Sequence, residues 1–144
     1  MYKQIGEVSN KTVSSLLALS QLLDWKINKG LEVDYKTIQG FEDRLKDIHL
    51  PWDQEKIKSA RFICIPSGGN IKRHSDNTKP DGWKIYHIPL STNDHCINLV
   101  YKDGETKEFH LPVGTLWEFD AWPEHESFNL GKTDRIHLVI NIYE

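Results

Sequence analysis

Cys96-Ile97-Asn98-Leu99-Val100-Tyr101-Lys102-Asp103-Gly104-Glu105-Thr106-Lys107-Glu108-Phe109 is the stretch that sets the architecture of this chain. Asp103-Gly104 stands between two strand-like runs. A two-residue hairpin turn needs positive φ at its centre, which Gly adopts freely and Asp tolerates. The pair therefore predicts an antiparallel hairpin. The same punctuation recurs outward in both directions, at Ser67-Gly68-Gly69-Asn70, Lys79-Pro80-Asp81-Gly82 and Gly131-Lys132. Between these breaks, apolar and β-branched residues form short runs, predicting strands over 60–65, 70–76, 83–90, 96–102, 106–111, 115–119, 126–129 and 136–143. Roughly eight short strands with close turns favour a small sandwich or barrel.

The first fifty residues read differently. Val13, Leu16, Leu17, Leu19, Leu22, Leu23 and Trp25 fall at helical spacing, predicting a helix over 11–26 capped by Ser9 or Asn10, with Gly30 past its end. A second, weaker stripe of Ile38, Phe41, Leu45 and Ile48 predicts a helix over 35–48, closed by Pro51. At 144 residues the chain has one domain's worth of core. The expected organisation is a single domain over 1–144, with a helical region at 1–58 packed outside a β-rich core at 59–144.

A formal charge of −3, with no basic run longer than a pair, leaves no electrostatic footprint for nucleic acid or an anionic membrane. The opening residues do not read as a signal peptide, and the apolar stretches are too short to span a bilayer. Cys64 and Cys96 lack CxxC spacing and read as small core residues in a reducing compartment, so a cytoplasmic protein is expected.

Chemistry concentrates at His74-Ser75-Asp76. On a strand, residues two apart share a face, so both side chains could reach one ion. His125, after Pro123-Glu124, is the candidate third ligand. Two histidines and a carboxylate occupy one face of an Fe(II) ion and leave open positions for a cosubstrate and dioxygen. HxD alone is weak: with seven histidines and eleven aspartates, chance supplies it about half the time. The plain alternative is a surface turn.

Arg135 heads the apolar run Ile136-His137-Leu138-Val139-Ile140. Its planar guanidinium suits a carboxylate anchor, and its plain alternative is a surface residue paired with Asp134. Ile136, Leu138, Ile140 and Ile142 would share one face of this strand, and Arg135, His137, Val139 and Asn141 the other. That polar face either lines a site or meets solvent; periodicity does not choose. His87 alternates with Trp83, Ile85 and Pro89 and is placed to point into a pocket. His137 either lines the site or satisfies a core hydrogen bond. His49, His95 and His110 read as solvated or structural. Trp117 and Phe119 are candidate cavity walls or core residues.

Taken in order, Gly68-Gly69-Asn70-Ile71-Lys72-Arg73-His74-Ser75-Asp76, Tyr86-His87-Ile88-Pro89-Leu90-Ser91-Thr92-Asn93, Leu111-Pro112-Val113-Gly114-Thr115-Leu116-Trp117-Glu118-Phe119-Asp120, His125-Glu126-Ser127-Phe128-Asn129 and Asp134-Arg135-Ile136-His137-Leu138-Val139-Ile140 resemble the aspartyl/asparaginyl β-hydroxylase family of Fe(II)/2-oxoglutarate dioxygenases. The resemblance covers about the C-terminal three-fifths of the chain. It implies a mainly β, cupin-like double-stranded β-helix (jelly-roll). It implies Fe(II) on His74, Asp76 and His125, 2-oxoglutarate as cosubstrate with its distal carboxylate on Arg135 and its other end near His87, and O2 as oxidant. The implied reaction is hydroxylation of an amino-acid or peptidyl side chain, with a small molecule or peptide as substrate.

One departure stands out. The family often has an arginine two residues before that histidine, where this chain has Ile85. Either Arg73 or Lys84 takes its place, or the carboxylate beside the iron is held more weakly. Two rival readings remain: a non-catalytic jelly-roll module that binds a metal or ligand, and a cupin-like oxygenase that does not use 2-oxoglutarate. A zinc hydrolase fits less well, because no general base accompanies the ligands.

Overall fold

The structure, a computed structural model, describes residues 1–21, 30–33, 53–76 and 83–143. Among these residues the elements run β1 (Tyr2–Glu7), α1 (Asn10–Gln21), β2 (Gly30–Val33), a 3-10 turn, β3 (Ile57–Ile65), β4 (Asn70–His74), β5 (Trp83–Ser91), β6 (Cys96–Lys102), β7 (Glu105–Phe109), β8 (Thr115–Phe119), β9 (Glu124–Asn129) and β10 (Arg135–Tyr143). A six-stranded sheet has the order β1-β8-β5-β10-β3-β2, and a four-stranded sheet the order β4-β9-β6-β7. Every pairing is antiparallel. All eight expected strands are present, with ends moved by a few residues. The Asp103-Gly104 hairpin forms as predicted: both residues have positive φ, 54° and 75°, and β6 pairs with β7 around them.

The N-terminal region departs from the expectation of helix over 1–58. Residues 2–7 and 30–33 are strands, added to opposite edges of the larger sheet against β8 and β3. Local sequence carried no strong strand signal there; pairing to a ready-made edge decided the conformation. The first helix does start where its cap predicts. The Thr12 N–H donates to Ser9 Oγ at 3.2 Å, satisfying one of the donors left free in a first helical turn. The reach of this helix beyond Gln21, and the second helix over 35–48, lie outside the described residues.

Val13, Leu16 and Leu19 of α1 pack with Ile88 and Leu90 of β5, Ala60 and Phe62 of β3, and Ile136, Leu138, Ile140 and Ile142 of β10. The helix thus covers the outer face of the larger sheet. The inner face of that sheet looks toward the smaller one, where Tyr2, Ile85, Val100, Leu111, Phe119 and Val139 form a second apolar cluster. Cys64 and Cys96 are buried free thiols. No described helix is long and apolar enough to cross a membrane.

Candidate metal centre

His74 is the last residue of β4, and its register partner across the ladder is His125 of β9. Cross-strand pairing therefore sets the two imidazoles beside each other, with ring centroids 4.4 Å apart. The strand was expected to continue to Asp76, carrying it on the same face as His74. It stops at His74 instead, where the β4–β9 register is already irregular. Beyond the strand end the Asp76 N–H donates to Ala121 O at 3.1 Å, and the carboxylate lies against both histidines. His74 Nε2 lies 3.3 Å from Asp76 Oδ1, and His125 Nε2 lies 3.5 Å from Asp76 Oδ2. One ligand atom from each residue falls within 4.8 Å of the other two. Ligands on one face of an octahedral ion, bonded at roughly 2.1 Å, stand about 3 Å apart. Small side-chain rotations close this set.

The outer ring nitrogens fix the tautomer. His74 Nδ1 is 2.7 Å from Lys72 O, and His125 Nδ1 is 2.8 Å from Pro123 O. A carbonyl can only accept, so each Nδ1 carries a proton and it is Nε2 that turns to the centre, where it would give up its own proton to bind a metal through the lone pair. Burial would raise the Asp76 carboxyl. The hydrogen bond and charge of His125, with the charges of His74 and Arg61, outweigh it and hold the group below its ordinary value. The donor set is thus two imidazole lone pairs and a carboxylate, without thiolate, which fits a mononuclear iron ion.

Behind these residues lies a cavity of about 220 Å³, which also takes in Tyr2, Arg61, Ile63, Ile85, His87, Phe119, Ser127, Arg135 and Val139. Arg135 is only 2% exposed. Its Nη2 donates to Asn98 Oδ1 at 2.7 Å, and the same oxygen accepts from Ser127 Oγ at 2.9 Å. The Asn98 amide nitrogen donates to Phe109 O at 3.1 Å, which locks the amide orientation. Among the described residues no carboxylate pairs with Arg135. A buried cation with a neutral partner is poised for an anion. The polar face of β10 therefore faces inward, which periodicity had left open.

His87 lines the cavity and His137 backs it, with their Nδ1 atoms 3.0 Å apart. Burial first, then the Arg135 charge, keeps both well below the ordinary histidine value. Each ring is neutral, and one donates to the other. Phe119 packs edge-on against His125 at 4.8 Å and stacks on Tyr2 at 4.0 Å. Burial pushes the Tyr2 hydroxyl up to about 12. Phe119 is thus a cavity wall. Trp117 is not; its Nε1–H donates to Thr115 Oγ1 at 2.6 Å.

Neither residue proposed to replace the arginine absent at Ile85 reaches the cavity. Arg73 pairs with Glu124 at 2.8 Å and lies over the Tyr101 ring at 3.7 Å. Lys84 sits 3.9 Å from Glu118. Four site residues escaped the sequence reading: Tyr2, Arg61, Asn98 and Ser127. Arg61 and Asn98 did carry a signal, as single polar residues at inward phase within apolar strands. His95 and His110 are exposed, and His49 lies outside the described residues.

A family model described as aspartyl/asparaginyl beta-hydroxylase matches residues 36–144. An L-proline cis-4-hydroxylase of Rhizobium meliloti (strain 1021) is 31% identical over 95 residues, which is 65% of this chain and 32% of that protein. The chain thus spans about a third of the length of this curated relative. Among solved structures, a Pseudomonas putida prolyl-4-hydroxylase aligns with a TM-score of 0.66 at 15% identity, covering 99% of this chain and 91% of that one. AviO1 from Streptomyces viridochromogenes Tue57 aligns at 0.70 with 13% identity, covering 99% and 89%. These structural likenesses concern the fold, the mainly β, cupin-like jelly-roll expected from the sequence.

Proposed function

The chain belongs to the aspartyl/asparaginyl β-hydroxylase family, and from that premise we propose that it is an Fe(II)- and 2-oxoglutarate-dependent dioxygenase hydroxylating an amino-acid or peptidyl side chain. One observation carries the reading: His74, Asp76 and His125 converge on the same cavity that buries Arg135. His74, Asp76 and His125 would hold the iron, and Arg135 the far carboxylate of 2-oxoglutarate. Iron and cosubstrate together supply the oxidising power to insert one oxygen atom from O2 into an unactivated C–H bond, with 2-oxoglutarate leaving as succinate and CO2.

The protein's own residues do the rest. The Lys72 and Pro123 carbonyls hold both imidazoles with Nε2 toward the centre. Asn98 aims the Arg135 guanidinium and is itself fixed by Ser127 and the Phe109 carbonyl. When His137 donates to His87, the remaining His87 proton sits on Nε2 and can meet a cosubstrate oxygen. Tyr2, Ile63, Ile85, Phe119 and Val139 keep bulk water out. Arg135 also weighs against a cupin-like oxygenase without 2-oxoglutarate, which has no use for a buried carboxylate anchor.

The test is succinate release from 2-oxoglutarate by the Fe(II)-loaded protein, with mass spectrometry of candidate amino acids and peptides for a gain of about 16 Da, one oxygen atom. Iron-dependent succinate is expected even without substrate, at a low uncoupled rate. Its complete absence, with and without candidate substrates, sinks the assignment.

A further inference from the structure

Tyr2 is a polar cavity residue to which the proposed function gives only the role of a wall. It stands on β1, outside the residues 36–144 that match the family model. Register brings it to the site. β1 pairs with β8 so that Tyr2 falls opposite Phe119, whose neighbour across the next ladder is Ile85. Phe119 and Ile85 face the cavity, and Tyr2 lines it with them. Three rings hold the phenol in place. It stacks on Phe119 at 4.0 Å, tilts against Phe109 at 5.4 Å and stands edge-on to His87 at 5.6 Å. The whole residue is buried. Its hydroxyl has Ser127 as a hydrogen-bond partner. Ser127 uses its one hydroxyl proton on Asn98 Oδ1 at 2.9 Å, so it can only accept from Tyr2. The same Asn98 oxygen accepts from Arg135 Nη2 at 2.7 Å. Two donors on one oxygen stand about 4 to 5 Å apart, so Ser127 and the guanidinium are neighbours. Arg135 is also the charge that bears most on the Tyr2 hydroxyl, ahead of Asp76, and Tyr2 is the ionisable group that bears most on Arg135. The hydroxyl therefore sits at the Arg135 end of the cavity. Burial keeps it protonated at neutral pH, which leaves it a hydrogen-bond donor.

We propose that Tyr2 is a second binding residue for the anion that Arg135 takes, its O–H turning from Ser127 to a carboxylate oxygen when the ligand enters. This rests on the function proposed above and deepens it: the cosubstrate site is completed by a strand that lies outside the family match. A carboxylate is charged and accepts more strongly than a serine hydroxyl, so the exchange favours the ligand. Ser127 keeps its bond to Asn98 and loses only a donor, which leaves Arg135 aimed as before. Arg135 supplies the charge, and Tyr2 supplies a second direction that fixes the plane of the carboxylate.

Binding is read by calorimetry on Mn(II)-loaded protein, so turnover is not needed. One probe is 2-oxoglutarate. The other is 2-oxopentanoate, which has the same chain and the same 2-oxo acid head but a methyl group in place of the far carboxylate. Tyr2→Phe keeps the ring on Phe119 and removes only the hydroxyl, and its melting temperature checks that it folds. The variant should weaken 2-oxoglutarate about ten- to a hundredfold, the range of a hydrogen bond to a charged group. It should change 2-oxopentanoate by less than about twofold, because that ligand brings no acceptor to the hydroxyl. In an Arg135→Met background, where the carboxylate has lost its anchor, the cost of Tyr2→Phe should shrink, as for two residues acting on one group. A merely structural tyrosine would weaken both probes alike. The proposal is overturned by that result, by an unchanged 2-oxoglutarate affinity in Tyr2→Phe, or by an equal cost in the Arg135→Met background. Should the wild type fail to bind 2-oxoglutarate, the function proposed above fails by itself. Glutarate, which has the carboxylates without the keto group, then reads the anion site alone. Glutarate binding that Tyr2→Phe weakens tenfold or more upholds the proposal; no binding, or equal binding by the variant, overturns it.

Discussion

On β10, Ile136, Leu138, Ile140 and Ile142 turn toward α1, while Arg135, His137 and Val139 turn toward the cavity, and no member of either set is more than 6% exposed. Burial therefore does not separate core from site on this strand; chemistry does. The outer face contains only carbon and gains its stability from removing apolar area from water. The inner face carries charge and imidazole. It stays folded because Asn98 and Ser127 serve Arg135, and His87 serves His137. Changes on the metal side should cost activity without stability, and changes on the outer face the reverse.

The largest expected effect is His125→Ala, which removes one ligand of three. Iron-dependent succinate release should fall to background, with melting temperature little changed, whereas the exposed His95→Ala should leave both as they were. A retained rate in His125→Ala would show that the metal is held elsewhere. Next comes Leu138→Ala, on the outer face. Deleting a fully buried leucine side chain should cost about 2 to 5 kcal/mol. Denaturant unfolding measures that loss, while metal and 2-oxoglutarate affinity per folded molecule should stay within about twofold of wild type, as for distant, independent sites. A large loss of cosubstrate binding in Leu138→Ala would show that the two faces are coupled.

The same division explains what the sequence disclosed. The alternation along 136–143 announced two faces but not which one met solvent, because period two is the same either way. Asp103-Gly104 and the eight strands were legible because each rests on local spacing; His74 and Asp76 share such a spacing, whereas distant His125 joined them only through the ordered segments of the family resemblance. The strand β1 was not, because its partner β8 lies more than a hundred residues away and no local propensity reports such a pairing. Tyr2 stayed hidden with it. His74 and Asp76 were paired for a strand reason, yet the strand ends at His74 and the Asp76 backbone is held instead by the Ala121 carbonyl. Arg61 was legible only in hindsight, as a charge at inward phase between Ala60 and Phe62.

Acid should sharpen the contrast between the faces. His87 and His137 are held neutral well below their ordinary value of 6.5 when folded, by burial first and then by Arg135. Once unfolded, each titrates near 6.5. Above that pH both states are neutral and the pair contributes no pH dependence. Below it the unfolded chain binds protons that the folded one refuses, so stability falls as pH drops, by about 1.4 kcal/mol per pH unit for each histidine. Denaturant unfolding at pH 7 and pH 5 should show that loss, and His137→Gln should reduce its slope. Leu138→Ala, with no titrating group on its face, should lower stability equally at both values. A His137→Gln slope equal to wild type would remove the pair as its source.

The smallest effects belong to the exterior, and they bear on the arginine missing at Ile85. Arg73 with Glu124 and Lys84 with Glu118 are exposed pairs, each group 35% accessible or more. Such pairs are worth about 0 to 1 kcal/mol, because water and salt screen them and ordering the side chains offsets the attraction. Arg73→Ala and Lys84→Ala should therefore each change 2-oxoglutarate affinity by less than about twofold. Arg135→Met should weaken it by tenfold or more, since a charged hydrogen bond of about 1.5 to 3 kcal/mol is lost inside the cavity. A strong effect of Lys84→Ala would mean that the side chain swings in from the far side of its strand. The metal-side carboxylate of 2-oxoglutarate would then have a cationic partner after all, despite Ile85.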